Sequence, residues 1–343
     1  VRGAAPAKEV THMSRFPFPR YPNGWFQVAY SDELEKGGVV PLKYFGRDLV
    51  LFRSEDGVAN LLDAHCPHLG AHLGYGGKVD GNCIRCPFHA WEFDGRGQCS
   101  KIPYSEKAPP ARAKIRPWQV REVNGLIMAW HHLQGEAPSW DIEPVAEFGN
   151  PEWTPYEKRR WKIRTHNQEM AENAVDSAHF HYVHGTLERP TSRATVEGHI
   201  LRVVSDTKMK TPMGKVTGQV ESISHGFGYS LTRFTGIVET LLVAGITTID
   251  EEYVDVRFSF AVKKGVNGDV TSTVGAAFMR EIERQLGQDI PIWENKVYVT
   301  PPLVVDGDGP IGVFRRWVKQ FYSEPRGGAV PEMASSAAPA DAE

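Results

Sequence analysis

Cys66-Pro67-His68-Leu69-Gly70 and Cys86-Pro87-Phe88-His89-Ala90-Trp91 each place one thiol and one imidazole in a short proline-bearing loop. The pattern is C-x-H, seventeen intervening residues, then C-x-x-H. Thiolate and imidazole are ligands that transition metals take. Zinc fingers group like with like, C-x2-4-C and then H-x3-5-H, whereas here each half is mixed. Cys83 and Cys99 fall outside both loops and read as core or surface thiols. Around the loops the chain runs in short strand-like segments, among them Trp25–Tyr30, Leu49–Arg53 and Gly125–Trp130. Asp56-Gly57, Asp80-Gly81, Asp94-Gly95 and Asn124-Gly125 are turn signals between them. Residues 25–132 therefore read as a compact all-β domain that holds metal.

Two cysteines on one iron and two histidines on the other is the ligand set of a Rieske [2Fe–2S] centre. Neutral imidazoles remove negative charge from the cluster and raise its potential. A Cys2His2 zinc site uses the same ligand types and is the alternative. The mixed pairing and the surrounding strands favour the cluster, with Cys66, His68, Cys86 and His89 as its ligands.

A second concentration of ligand chemistry is Glu172-Asn173-Ala174-Val175-Asp176-Ser177-Ala178-His179-Phe180-His181-Tyr182-Val183-His184-Gly185. On a helix Asp176 and His179 share a face. His179 and His184 are five apart, roughly 140° out of phase on an ideal helix. They can reach one metal only if the helix ends or bulges between them, and Gly185 is a credible C-cap. Two imidazoles and a carboxylate from elsewhere would make a 2-His-1-carboxylate facial triad, which leaves positions open on ferrous iron. A polar helix with surface histidines is the plain alternative.

Residues 133–155 read as a linker rich in proline and glycine. The run Tyr156–Arg164 is basic: either a docking patch for an acidic electron donor or, the reading favoured, one solvated face of a strand. From about Leu201 to Val262 short alternating strands are expected, and Thr271–Gly287 is expected to start as strand and turn helical. The fold class is thus α+β: an all-β domain, then a mainly antiparallel sheet holding helices against it, residues 133–325. Residues 1–24 form an N-terminal extension and 326–343 an Ala/Ser/Pro-rich tail. Val1–Met13 and the tail read as disordered.

Composition excludes some functions. A net charge of −3 argues against a nucleic-acid binder, and no apolar run reaches a membrane span. Leu241–Ile246, the nearest, is a buried strand by length. Four cysteines in 343 residues do not suggest a disulfide scaffold. The N-terminus shows no secretory pattern, and a cytoplasmic location is expected.

With both stretches in view, the chain resembles the Rieske-type non-haem iron oxygenases from Trp25 to Pro325. The loops lack the extra cysteine pair of respiratory Rieske proteins. The resemblance implies a helix-grip-like second domain. It also implies a mononuclear Fe(II) held by His179, His184 and a carboxylate from a late helix, for which Asp289 matches the place. Spacing alone would not choose Asp289 over Glu283 or Glu294. It further implies a homotrimer in which the cluster of one subunit faces the iron of its neighbour, with Asp176 bridging His89 and His179 and Asn173 close to the iron. His181 is not at a ligand position.

The motifs from Cys66 to Gly74, from Ile292 to Lys296 and from Asp306 to Tyr322 look like the steroid-acting branch. That branch holds 3-ketosteroid 9α-hydroxylase oxygenase components and cholesterol 7-desaturases. The implied activity is a terminal oxygenase that uses O2 and two electrons to hydroxylate or desaturate a sterol or steroid. No flavin or nicotinamide fingerprint is present, so the electrons would come from a ferredoxin and/or an NAD(P)H-dependent flavin reductase. The alternatives are an oxygenase for an aromatic or other non-steroid compound, and a Rieske electron carrier whose second domain only binds an apolar ligand.

Overall fold

The computed structural model describes residues 15–211, 214–236, 238–265 and 268–323. The segments expected to be disordered, Val1–Met13 and Arg326–Glu343, lie outside these residues.

The N-terminal part is built from three antiparallel sheets. Gly24–Tyr30 pairs with Leu126–His131, which pairs with Val120–Val123. A second sheet runs Val39–Tyr44, Arg47–Arg53, Ala59–Asp63 and Pro117–Trp118. A third, of three-residue strands, runs Lys78–Asp80, Cys83–Arg85, Glu92–Asp94 and Cys99–Lys101. Gly24–Tyr30 and Leu126–His131 are buried along their whole length and are largely apolar, with Gln27 and His131 the buried polar exceptions. Val123 pairs with Leu126 across a two-residue turn in which Asn124 (φ 55°) and Gly125 (φ 73°) are both left-handed, the type I′ geometry that Asn-Gly favours.

A second two-residue turn, Phe45-Gly46 between Tyr44 and Arg47, has the same signs of φ but no such sequence signal. Phe45 is a poor left-handed residue. Its ring is buried and stacked 4.6 Å from His131 and 5.4 Å from Trp118. Tertiary packing offsets the backbone cost there.

The C-terminal part is one seven-stranded antiparallel sheet in the order Glu157–Ile163, Val254–Val262, Thr240–Thr248, Tyr229–Phe234, Gly214–His225, Ile200–Thr211, Thr191–Glu197. Helices α1 (Asn167–Glu172) and α2 (Ser177–Tyr182) lie between the two edge strands in sequence, so their segment crosses the sheet. The 28-residue α3 (Gly268–Asn295) packs on it. Met279, Leu286 and Trp293, seven apart, bury one stripe of α3 against Leu242, Phe258 and Phe260. A short α4 (Ile311–Trp317) follows. Thr271–Gly287 contains no strand, contrary to expectation: the β-branched residues at its start lower helix propensity only weakly, and α3 runs through them.

The two parts share one apolar cluster, in which Phe26, Leu51 and Trp118 meet Val175, Phe227 and Phe321. Backbone bonds cross the junction from Phe45 N to Thr248 O and from Gly46 N to Ile249 O, both 2.9 Å. Beside them Asp255 and Arg257, each 2 % exposed, are paired at 3.0 Å. Asp255 also accepts from Arg160 at 2.7 Å and from Tyr44 OH at 2.5 Å, and Arg257 reaches Glu33 at 2.9 Å. Asp255 keeps Arg160 when Arg257 is removed, so what is lost is the set of charge-assisted hydrogen bonds that Arg257 makes in the buried network. Arg257→Met is expected to cost about 1.5–3 kcal/mol in denaturant unfolding, and a loss under ~1 kcal/mol, the range of an exposed pair, would contradict it.

Candidate metal centres

The two cysteine–histidine loops share one backbone closure. Gly70 N–H donates to Cys66 O (2.9 Å) and Ala90 N–H to Cys86 O (3.1 Å). Cys66 N–H donates to Ala71 O (2.9 Å) and Cys86 N–H to Trp91 O (2.8 Å). Gly70 and Ala90 occupy the same place in each loop, and both are left-handed, at φ 77° and 57°. The third sheet carries the second loop as the turn between Cys83–Arg85 and Glu92–Asp94. The loops thereby face each other. His68 and His89 are 4.6 Å apart between ring centroids, and Cys66 and Cys86 are buried in one cluster beneath them.

Burial, with Cys86 alongside, pushes the Cys66 thiol up to about 11. His68 Nδ1 is buried and has no hydrogen-bond partner. An orphaned imidazole nitrogen beside two buried thiols fits a metal ligand. Donors around one zinc, at 2.0–2.3 Å from it, would lie within about 4 Å of one another. Among the described residues His179, His184 and Asp289 bring their ligand atoms within 4.8 Å of one another, and the four loop residues form no group of that kind. Trp91 stacks flat on His68 at 4.6 Å and is held by Tyr104 OH at 2.8 Å. The other two cysteines are free thiols, Cys99 buried and Cys83 part-exposed.

The second centre is assembled at the end of α2. Asp176 is its N-cap: Oδ1 accepts from the backbone N–H of Ala178 (3.0 Å) and His179 (3.2 Å). The helix stops at Tyr182, and Gly185 turns the chain at φ 76°. That stop removes the phase problem, and the rings of His179 and His184 come within 5.0 Å at 80°. Asp289 on α3 completes the group, with its Oδ2 3.4 Å from His184 Nε2 and all three ligand atoms within 4.8 Å of one another. Glu283 instead pairs with Arg159 at 2.7 Å, and Glu294 accepts from Arg164 N at 3.4 Å.

The Nδ1 of each ring is engaged. His179 Nδ1 lies 2.7 Å from the backbone oxygen of Asp176, and His184 Nδ1 lies 3.1 Å from Gln288 Oε1. Donation there leaves the Nε2 lone pairs for a metal. The Asp176 carboxylate stands farther off, with Oδ2 3.8 Å from His179 Nδ1. Within one chain it therefore caps the helix rather than bonding the ring. Burial raises its pKa, but His179 and the capping amides outweigh that and hold it below the usual carboxylate value. Asn173 Oδ1 accepts from Trp293 Nε1 at 3.3 Å and so ties this segment to α3. His181 Nδ1 is 2.6 Å from Thr186 O.

The basic run is not a free patch. Lys158 pairs with Asp32, Arg159 with Glu283, Arg160 with Asp255 and Arg164 with Glu252. Reading residues in isolation missed Gln288 and Arg284; only the place of Gln288 beside Asp289 hinted at one of them.

A Rieske-type β domain joined to an antiparallel sheet that carries a His/His/Asp group defines a Rieske non-haem iron oxygenase, and the chain belongs to that family. Residues 24–119 match the Rieske [2Fe-2S] domain, and residues 129–322 match the 3-ketosteroid 9alpha-hydroxylase C-terminal domain. The 3-ketosteroid-9-alpha-monooxygenase oxygenase component of Rhodococcus rhodochrous is 31% identical over 323 residues, 88% of this chain and 82% of that protein. The cholesterol 7-desaturase of Caenorhabditis elegans is 32% identical over 337 residues, 89% and 78% of the two chains. Dicamba monooxygenase bound to 3,6-dichlorosalicylic acid has the same fold, with a TM-score of 0.72 at 20% identity over 88% of this chain and 97% of that one. No helix among the described residues is long and apolar enough to cross a membrane.

Proposed function

We propose that this terminal oxygenase acts on a sterol or steroid, which it hydroxylates or desaturates with O2 and two electrons from an external ferredoxin and/or flavin reductase. The observation that carries this reading is the match of residues 129–322 to the 3-ketosteroid 9alpha-hydroxylase C-terminal domain.

When bound, the cluster stores single electrons and the ferrous ion, with open positions, is where O2 is reduced. Cys66, Cys86, His68 and His89 hold the cluster in this reading. His179, His184 and Asp289 would hold the iron. The Asp176 carbonyl fixes His179 in the Nδ1–H tautomer, while its carboxylate keeps a side chain oxygen free for a further partner.

Two exposed apolar areas support a site shared between copies of the chain in a homotrimer. Leu69, Phe88 and Tyr104 are 60–64% exposed around the cysteine–histidine loops. Val305, 65% exposed, is bonded to Asp308, whose carbonyl accepts from Ser177 N at 3.0 Å beside Asp176, and Leu303 two residues before it is 97% exposed. Apposition of these areas would set Asp176 between its own His179 and the His89 of a second copy. Asn at position 176 can still cap α2 through its side-chain oxygen. Asp176→Asn is therefore expected to keep both metals and the fold while product formed per O2 consumed falls about 10–100-fold. Normal coupling in that variant would mean that electrons take another route.

The substrate is tested with a surrogate ferredoxin and reductase, a panel of sterols, 3-ketosteroids and aromatics, and mass detection. The expected result is a steroid product that has gained one oxygen or lost two hydrogens. Turnover of aromatics alone would overturn the steroid reading and leave the oxygenase class intact.

A further inference from the structure

The two histidines of the iron group are held in different ways. His179 is held locally, by the carbonyl of its own N-cap residue at 2.7 Å. His184 lies beyond the end of α2, next to a glycine in the left-handed region, and only its backbone N–H reaches back to α2, at His179 O (3.4 Å). The groups that hold its ring and its carbonyl come from α3, some hundred positions along the chain. Arg284 Nη2 donates to His184 O at 3.2 Å, and Gln288 Oε1 lies 3.1 Å from His184 Nδ1. Arg284 is itself pinned by Glu281 at 2.6 and 2.8 Å. Residues 284 and 288 are one turn apart and share a face of α3, and Asp289 follows immediately.

We infer that Gln288 is a positioning residue for the iron site: its amide oxygen selects the Nδ1–H tautomer of His184, so that the Nε2 lone pair faces Asp289 and the metal. This rests on the reading that His179, His184 and Asp289 hold iron. The chemistry is one of donor and acceptor counting. A neutral imidazole has one N–H and one lone pair. With the amide oxygen at Nδ1, the hydrogen is held there and Nε2 is free to ligate. With a non-acceptor at 288, the hydrogen is free to sit on Nε2, where it blocks the metal, and the ring loses its rotational restraint. Because Gln288 and Asp289 are adjacent, α3 sets the direction of two of the three ligands at once. The arginine holds the backbone of the same residue, so ring and main chain of His184 are both registered to one helix.

The test compares full-length wild type with Gln288→Leu, Gln288→Glu and His184→Ala. Each is stripped of mononuclear iron with a mild chelator and titrated with Fe(II), while the red-brown cluster absorption is followed in the same sample. Gln288→Leu is expected to bind Fe(II) about 10–100-fold more weakly than wild type, with the cluster absorption and the unfolding midpoint unchanged. Gln288→Glu retains an acceptor at the same place and is expected to restore wild-type-like affinity, which a loss of packing would not predict. Equal affinity of Gln288→Leu and wild type, with His184→Ala impaired, overturns the inference alone. Equal affinity of His184→Ala and wild type overturns the iron-site reading and the inference with it. A Gln288→Glu protein as weak as Gln288→Leu likewise overturns it.

Discussion

His179→Ala is expected to abolish product formation while the protein stays red-brown. Iron should fall from about three per chain to about two, with the acid-labile sulfide unchanged. The expectation follows from which contacts the substitution removes and which it leaves. Asp176 caps α2 through backbone N–H groups of residues 178 and 179, and alanine keeps both. Alanine is also the better helix former. The cluster loops sit in another sheet, with their own backbone closure. What is lost is one of three ligand atoms gathered within 4.8 Å. His184 and Asp289 alone do not make a facial triad. Full turnover, or unchanged iron, would remove His179 from the site.

Cys66→Ser is expected to bleach the protein. The Cys66 side chain is 2% exposed and packed in a cluster with Cys86, Leu73 and Ile84. A serine there offers a hard hydroxyl oxygen in place of the soft thiolate that an iron–sulfur cluster takes. Labile sulfide should vanish with the colour. The mononuclear site should still take up about one Fe(II), since its ligands are held by α2 and α3. Colour that persists in Cys66→Ser would overturn the cluster assignment. A wild-type protein that is colourless and carries zinc would do so more directly.

Ligand chemistry and turns are local, and so they could be read along the chain. The mixed Cys/His pairs, the Asn173–His184 spacing and the Asn124-Gly125 turn each need only a few neighbouring residues to be recognised, and the structure places each of them as a local unit. The antiparallel α+β architecture followed from strand-length runs in the same way. The condition that the helix end or bulge between His179 and His184 for both to reach one metal was likewise a statement about local phase, and α2 ends at Tyr182.

Four features depended on packing that a linear pattern does not encode. Phe45 takes a left-handed turn because Trp118 and His131 bury its ring. The β-branched start of α3 is helical because the helix as a whole packs on the sheet. The choice of Asp289 over Glu283 and Glu294 follows from which face of α3 meets the end of α2. Gln288 reaches His184 from 104 positions away. Contacts at that separation are set by the register of a helix on a sheet, and register is a property of the assembled core, where many weak contacts sum. Residue type thus determined what each group could do, and the folded chain decided which groups meet.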